Sequence, residues 1–146
     1  PGFLIEAVGV RSGMIFGTYS YGTGLGLKLL DTPLMIGINW LLLVYCTSII
    51  VNSFPVHDIF RIISASLLMV VYDVLLEQTA PILDMWEFEG GYAPVQNYLS
   101  WFIISVIFLL FLRLTGIKFE NRMAPFIFVL QLAFFAALLL IFILLQ

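Results

Sequence analysis

Four long apolar runs dominate the chain and predict four membrane-spanning helices. They are residues 33–51, 59–80, 97–114 and 124–146. A helix of about 20 residues crosses the ~30 Å hydrocarbon layer of a bilayer, so each run is long enough to span. Residues 2–17 form a shorter apolar stretch, which we interpret as part of a fifth helix. The predicted fold is an all-α, polytopic transmembrane helix bundle: four full spans and a partial N-terminal helix in a single domain.

The first residues of the chain lead to a prediction about the helices that precede it. Pro1 leads directly into an apolar stretch without an initial Met. Pro1 to Gly9 shows neither the basic region nor the cleavage pattern of a signal peptide. We therefore expect further helices to precede this segment in the whole protein.

Composition agrees with the bilayer as solvent. The chain is 62% apolar and 10% charged, with a mean hydropathy of +1.12, too little polar surface to cover a soluble domain. Its net charge of −3 and scattered Lys and Arg argue against nucleic-acid binding. Cys46 is the single cysteine and His57 the single histidine, so we expect no His/Cys metal site, whereas a carboxylate-bound metal stays open.

The charges between the spans predict an orientation. Residues 52–61 and 113–123 carry four of the six Lys and Arg residues, and residues 81–96 carry three acids and no basic residue. Because basic loops favour the cytoplasm, we place the first two loops inside and the third outside, in a multi-pass protein of the cytoplasmic membrane. Lys28, in an outer loop, runs against this pattern.

Two carboxyl groups lie within the second span. Ser66, Val70, Asp73 and Glu77 follow the spacing of one helical stripe, so both acids share a face. A charged side chain at the bilayer centre costs about 2.5–3.5 kcal/mol and normally faces the bundle interior. Two close carboxyls in a low dielectric do not both ionise readily, so we expect one to keep its proton near neutral pH.

The first apolar stretch carries a third buried acid. Gly9, Gly13 and Gly17 recur every four residues, and Glu6 falls on the same stripe. Small residues at this spacing let helices approach closely, so we expect Glu6 to point into a helix–helix seam.

Simpler interpretations compete at several positions. The intramembrane acids could pair structurally with an arginine, and Asn97 could serve only as a helix N-terminal residue. We interpret residues 21–28 as a flexible turn and the final span as lipid-facing. The acids between the second and third spans form a solvent-facing loop in our interpretation: Asp84, Glu87 and Glu89.

Two blocks of sequence resemble a known family. The first block is residues 72–102, "YDVLLEQTAPILDMWEFEGGYAPVQNYLSWF". The second is the Glu–Gly–Gly–Gly–Tyr–Tyr pattern from Glu6 to Tyr21, which is followed by "TPLMIGINW". Both are similar to the carotenoid biosynthesis membrane proteins that include the carotenoid hydratases. The chain departs from the family pattern at Gln78, where Pro is usual, and at Phe88, where a second Trp is usual.

The resemblance implies a cofactor-independent hydro-lyase that adds water to the terminal C1–C2 double bond of an acyclic carotenoid. Its partners would be the polyene, the lipid bilayer and other carotenoid-pathway enzymes. For that reaction our hypothesis makes Asp73 the proton donor, with Glu77 or Glu6 holding the water and sharing the proton, and Glu6 is an equal candidate for the donor. The residues expected to line or bind the substrate are Tyr19, Tyr21, Trp86, Asn97 and Trp101.

Other functions fit the same residues. A carotenoid cyclase or isomerase shares the first protonation step but admits no water. A proton-linked transporter or a pigment-binding membrane protein also places acids inside the membrane, although transporters usually carry internal repeats, which this chain does not show.

Overall fold

The computed structural model of the protein describes residues 1–117 and 119–145. Two residues named in the sequence predictions, Lys118 of the basic loop and Gln146 of the final span, lie outside these ranges. The chain forms five helices and four short strands, in the order α1 Gly2–Ser12, β1 Tyr19–Tyr21, β2 Lys28–Leu29, β3 Thr32–Pro33, α2 Leu34–Asn52, α3 Asp58–Thr79, β4 Trp86–Phe88, α4 Val95–Leu114 and α5 Ala124–Leu145.

The four predicted spans are confirmed as α2, α3, α4 and α5. Each has 19 to 22 residues and is apolar enough to cross a membrane. Their backbone hydrogen bonds are made within each helix, as a lipid environment requires. The protein is therefore a multi-pass membrane protein built from an α-helical bundle, with α3 packed against α2 and α4.

The prediction for residues 2–17 is wrong in its extent. α1 ends at Ser12, because Gly13 adopts a left-handed conformation (φ 63°) and caps the helix by donating its N–H to the Gly9 carbonyl. Gly13 and Gly17 (φ 97°) therefore serve the loop and do not continue a helical stripe. The close approach of α1 to α2 comes from Gly2, where an added Cβ would lie 2.5 Å from the Cβ of Trp40.

A short antiparallel ladder joins the loop after α1 to the loop after α3. β1 pairs with β4, so that Tyr19 lies opposite Phe88 and Tyr21 opposite Trp86. The side chains alternate across this ladder: both tyrosines point inward and are buried, whereas Ser20 between them is exposed. The strands were not predicted, because a run of three residues carries too little periodicity to be recognised.

Hydrogen bonds hold the predicted flexible turn at 21–28 against the loop after α3. Gly22 N–H donates to the Met85 carbonyl, and Gly24 N–H donates to the Asp84 carbonyl. The Asp84 side chain also accepts hydrogen bonds from the backbone N–H (2.8 Å) and hydroxyl of Thr23. The interpretation of Asp84, Glu87 and Glu89 as solvent-facing is confirmed, since all three are exposed.

The final helix is mostly uncovered by protein. Only Ala124 and Phe128 of α5 are buried, and its outer face exposes large apolar side chains such as Phe126 and Leu130. The interpretation of α5 as lipid-facing stays a prediction, and the low burial of this helix within the described chain is compatible with it.

Candidate acid site

Three carboxyl side chains converge in the half of the bundle nearest the loops that follow α1 and α3. Glu6 of α1 is 3% exposed, Asp73 of α3 is fully buried, and Glu77 one turn further along is 8% exposed. The helical stripe predicted from Ser66 to Glu77 therefore faces inward. Neither Arg nor Lys makes an ion pair with these carboxyls in the part of the chain that the structure describes. Neutral hydrogen-bond donors surround them instead.

Glu6 accepts three hydrogen bonds. The hydroxyl groups of Tyr19 (2.7 Å) and Tyr21 (3.0 Å) donate to Oε2, and the indole Nε1 of Trp40 donates to Oε1 (2.7 Å). Burial raises the pKa of both tyrosines well above the usual value, and the nearby Glu6 charge raises it further. The tyrosines therefore stay protonated as donors to this carboxyl group.

Asn97 joins the other two carboxyl groups. Its Nδ2 donates to Asp73 Oδ2 (2.9 Å) and to Glu77 Oε1 (3.1 Å). The indole Nε1 of Trp86 donates to the second oxygen of Glu77 (2.9 Å), whereas Asp73 Oδ1 is buried without a hydrogen-bond partner. Asn97 lies in the first turn of α4, as predicted, but its side chain connects two acids and does not cap the helix.

A small cavity lies between the carboxyl groups and a wall of aromatic rings. It leaves about 10 Å³ for the centre of a water molecule, close to the smallest volume that holds one water. Glu6, Glu77 and Asn97 supply its polar lining, and Asp73 lies behind Asn97. The other lining residues are Phe16, Tyr19, Tyr21, Ile36, Trp86, Phe88 and Trp101.

The aromatic wall is continuous with the bundle core. Trp101 stacks on Trp40 with ring centroids 4.0 Å apart, and Tyr19 packs against Phe88 at 5.2 Å. Tyr21 meets the edge of Trp86 at 5.9 Å. The rings surround the acids with apolar faces that exclude bulk water and can stabilise a positive charge by cation–π attraction.

The structure brings all eight sequence-predicted site residues into one cluster. They are Glu6, Tyr19, Tyr21, Asp73, Glu77, Trp86, Asn97 and Trp101. Sequence reasoning missed Phe16 in the lining and Trp40 as a donor to Glu6. Phe88 stands where the family usually has a second Trp, and it is nevertheless buried and lines the cavity.

No metal site is evident at the cluster. Across residues 1–117 and 119–145, no group of three or more His, Cys, Asp or Glu side chains is arranged to hold a metal ion.

Comparisons with known proteins agree with this picture. The sequence model of the family described as "Carotenoid biosynthesis protein" matches residues 2–146. Bisanhydrobacterioruberin hydratase of Haloarcula japonica is 30% identical over 134 residues, which cover 84% of this chain and 46% of the relative. The chain thus spans about half the length of that protein. No solved structure matches the chain significantly.

Proposed function

The chain belongs to the carotenoid biosynthesis protein family, and on that premise we propose that it is a membrane-embedded carotenoid hydratase. It adds water to the terminal C1–C2 double bond of an acyclic carotenoid end and needs no cofactor. The observation that carries the proposal is the cavity itself. Two carboxyl groups and an amide face a space the size of one water, and aromatic rings enclose the remainder.

The acid is the Asp73–Asn97–Glu77 unit. The Asn97 amide donates to both carboxyl groups, and in a low dielectric two neighbouring carboxyls do not both ionise readily, so the pair keeps one proton. Asp73 accepts one hydrogen bond, the fewest of the three acids, so its carboxylate form is the least stabilised. It holds the proton in the resting state, and Glu77 presents the proton to the cavity.

Hydration then proceeds in two steps. The proton adds to C2, the less substituted carbon of the double bond, and the π electrons form the new C–H bond, leaving a tertiary cation at C1. A lone pair of the cavity water forms the C1–O bond, and the water gives its extra proton to Glu6. The product is a tertiary alcohol, and return of that proton from Glu6 to the acid unit restores the resting site.

Glu6 suits the accepting role because of its three donors. Burial disfavours the carboxylate form of Glu6, and hydrogen bonds from two phenols and an indole partly offset that cost, so Glu6 can accept the proton that the water gives up. As a carboxylate, Glu6 also stabilises the cation in its apolar surroundings. The rings of Tyr19, Tyr21, Trp86 and Trp101 add cation–π attraction of about 0.5–2 kcal/mol each.

Substrate entry requires movement of this wall. A volume of about 10 Å³ admits water but not a branched alkene end, so aromatic side chains must separate when the polyene binds. An acyclic carotenoid is about as long as the bilayer is thick, which explains a site built between membrane helices. The basic residues opposite the acid cluster favour insertion in a cytoplasmic membrane with the site near the outer surface.

The proposal is tested in a host that accumulates an acyclic carotenoid. The variants are Asp73→Asn and Glu6→Gln, and Asp58→Asn at the other end of α3 is the matched control. Wild type and the control should accumulate the tertiary alcohol, whereas each site variant should lower its yield by about 100-fold or more, the usual contribution of an acid or base. Full yield from both site variants would refute the acid mechanism, and a ring-closed pigment from wild type would indicate a cyclase.

A further inference from the structure

A second, larger cavity lies beside the acid site. About 210 Å³ is open to the centre of a water-sized sphere between α2, α3 and α5. Its walls are almost entirely apolar, and the polar side chains that reach it are Asn39, Tyr72 and Gln131. The other residues lining the cavity are Leu25, Met35, Ile36, Ile38, Leu42, Leu76, Met85 and Phe135.

Two polar atoms at this cavity have no partner. Asn39 Nδ2, a donor, and Gln131 Oε1, an acceptor, are both buried and make no hydrogen bond in the described part of the chain. The hydroxyl of Tyr72 contacts Asn39 Oδ1 at 3.4 Å, a long hydrogen bond. Leaving a buried polar group unsatisfied costs about 1–3 kcal/mol, so two at one cavity call for a ligand.

The second cavity adjoins the acid site. Ile36 lines both cavities, so the two cavities share part of a wall. On α3, Tyr72 and Leu76 face the second cavity, and each directly precedes an acid, Asp73 or Glu77. The second cavity is therefore a neighbour of the acid site.

We propose that this second cavity binds the hydroxyl-bearing end of the carotenoid, an inference that rests on the proposed hydratase function. An alcohol both donates and accepts hydrogen bonds, so one hydroxyl satisfies Gln131 Oε1 and Asn39 Nδ2 together. The other side chains that line the cavity are apolar and suit a hydrocarbon chain. The cavity thus holds the tertiary alcohol after it forms, and Asn39 and Gln131 distinguish it from the unreacted alkene.

Binding measurements on the protein in lipid nanodiscs test this proposal without turnover. The probes are isophytol, an acyclic diterpene with a tertiary alcohol, and the hydrocarbon that lacks only its hydroxyl group. Wild type should bind isophytol about tenfold more tightly, since two hydrogen bonds contribute about 1–3 kcal/mol. Equal affinity for both probes would overturn the proposal, because lipid tails or a bridging water would then suffice to explain the cavity.

The double variant Asn39→Leu, Gln131→Met identifies the groups responsible. It should lose the preference for isophytol and keep its affinity for the hydrocarbon. Because it removes two unsatisfied polar atoms but also the long hydrogen bond from the Tyr72 hydroxyl to Asn39, we expect it to fold about as stably as wild type. A preference retained by this variant would also overturn the proposal.

Asp73→Asn separates this inference from the hydratase function. It should retain the preference for isophytol while hydration is lost. If hydration persists in Asp73→Asn but the preference depends on Asn39 and Gln131, the acid assignment fails and the alcohol subsite stands.

Discussion

The two ends of the α3–α4 pair hold acidic residues in opposite ways. At one end Asp58 is about half exposed (46%) and ion-paired with two guanidinium groups, Arg61 at 3.1 Å and Arg113. At the other end Asp73 and Glu77 are buried, and their partners are an amide and an indole. The same pair of helices therefore carries a charge-neutralised surface site and a buried site without a cation.

On the proposed function, this difference separates structural acids from chemically active ones. A carboxylate beside two arginines in water is stable as an anion and has no tendency to hold a proton. Two neighbouring buried carboxyls without a cation, such as Asp73 and Glu77, favour a state in which one of them keeps a proton. Among the described residues the ion pairs lie at the surface, and the buried pair has the surroundings that proton transfer requires.

Removing the shared amide should have the largest effect. Asn97→Leu leaves Asp73 without a partner and Glu77 with only Trp86. We expect hydration to fall by about 100-fold and the free energy of unfolding to drop by about 1–3 kcal/mol. Pigment yield and thermal unfolding in detergent measure the two effects. Gln96→Ala, which removes from the same turn an exposed amide that donates to the Met14 and Ile15 carbonyls and not to the acids, is the control for hydration, and equal losses of hydration in both variants would contradict a special role for Asn97.

Removing one donor from Glu6 should have a smaller effect. Trp40→Phe keeps a ring against Trp101 but deletes the indole N–H, and the two tyrosines remain. A hydrogen bond to a charged group contributes about 1.5–3 kcal/mol, so we expect hydration to fall by about tenfold or more. Tyr45→Phe, which deletes the hydroxyl that Asn121 contacts at the opposite end, should leave hydration unchanged. An unchanged rate in Trp40→Phe would show that Glu6 does not depend on this donor.

Breaking the surface ion pairs should have little effect. Asp58→Asn leaves Arg61 and Arg113 in contact with water, where a lost ion pair changes stability only slightly. We expect normal hydration, with a small decrease in the thermal unfolding midpoint at low salt that disappears at high salt, where surface charges are screened. A large loss of hydration would contradict the division between the two ends.

The weakest expected effect concerns Asp84 in the loop between α3 and α4. Hydrogen bonds from the Thr23 hydroxyl and backbone N–H hold the pKa of this exposed carboxyl below its usual 3.8. A lowered pKa in the folded state stabilises the protein above the usual value, and this stabilisation is lost as the pH falls through the lowered pKa. Asp84→Asn, compared with wild type by acid unfolding, should lack that part of the pH dependence. Identical profiles would show that the contact does not influence stability.

Much of the bundle could be predicted from sequence, because the spans are long and uniformly apolar. The bilayer fixes their length, and Asp73 and Glu77 stand out because a carboxyl is costly there. Glu6 was also predicted to face inward, although its glycine stripe was misinterpreted. Gly13 and Gly17 show the spacing of a helix seam but have positive φ angles, which spacing alone does not reveal.

The remaining parts of the site depend on contacts distant in sequence. β1 and β4 are separated by more than sixty residues, and their pairing places Tyr19 and Tyr21 beside Phe88 and Trp86. The contact of Trp40 with Glu6 likewise depends on how α1 packs against α2. Local periodicity predicts neither of these contacts. A tryptophan in an apolar run is usually interpreted as core packing, so the role of Trp40 as a hydrogen-bond donor was missed.

The most direct test of the account is hydration in heavy-oxygen water. The protein in lipid nanodiscs is incubated with an acyclic carotenoid, and the products are analysed by mass spectrometry alongside Asp73→Asn. Wild type should produce a tertiary alcohol that carries one heavy oxygen at each hydrated end. The variant should give a yield at least 100-fold lower, since an acid usually contributes about that much. An unchanged pigment, an unlabelled cyclic product or equal labelling by the variant would contradict it.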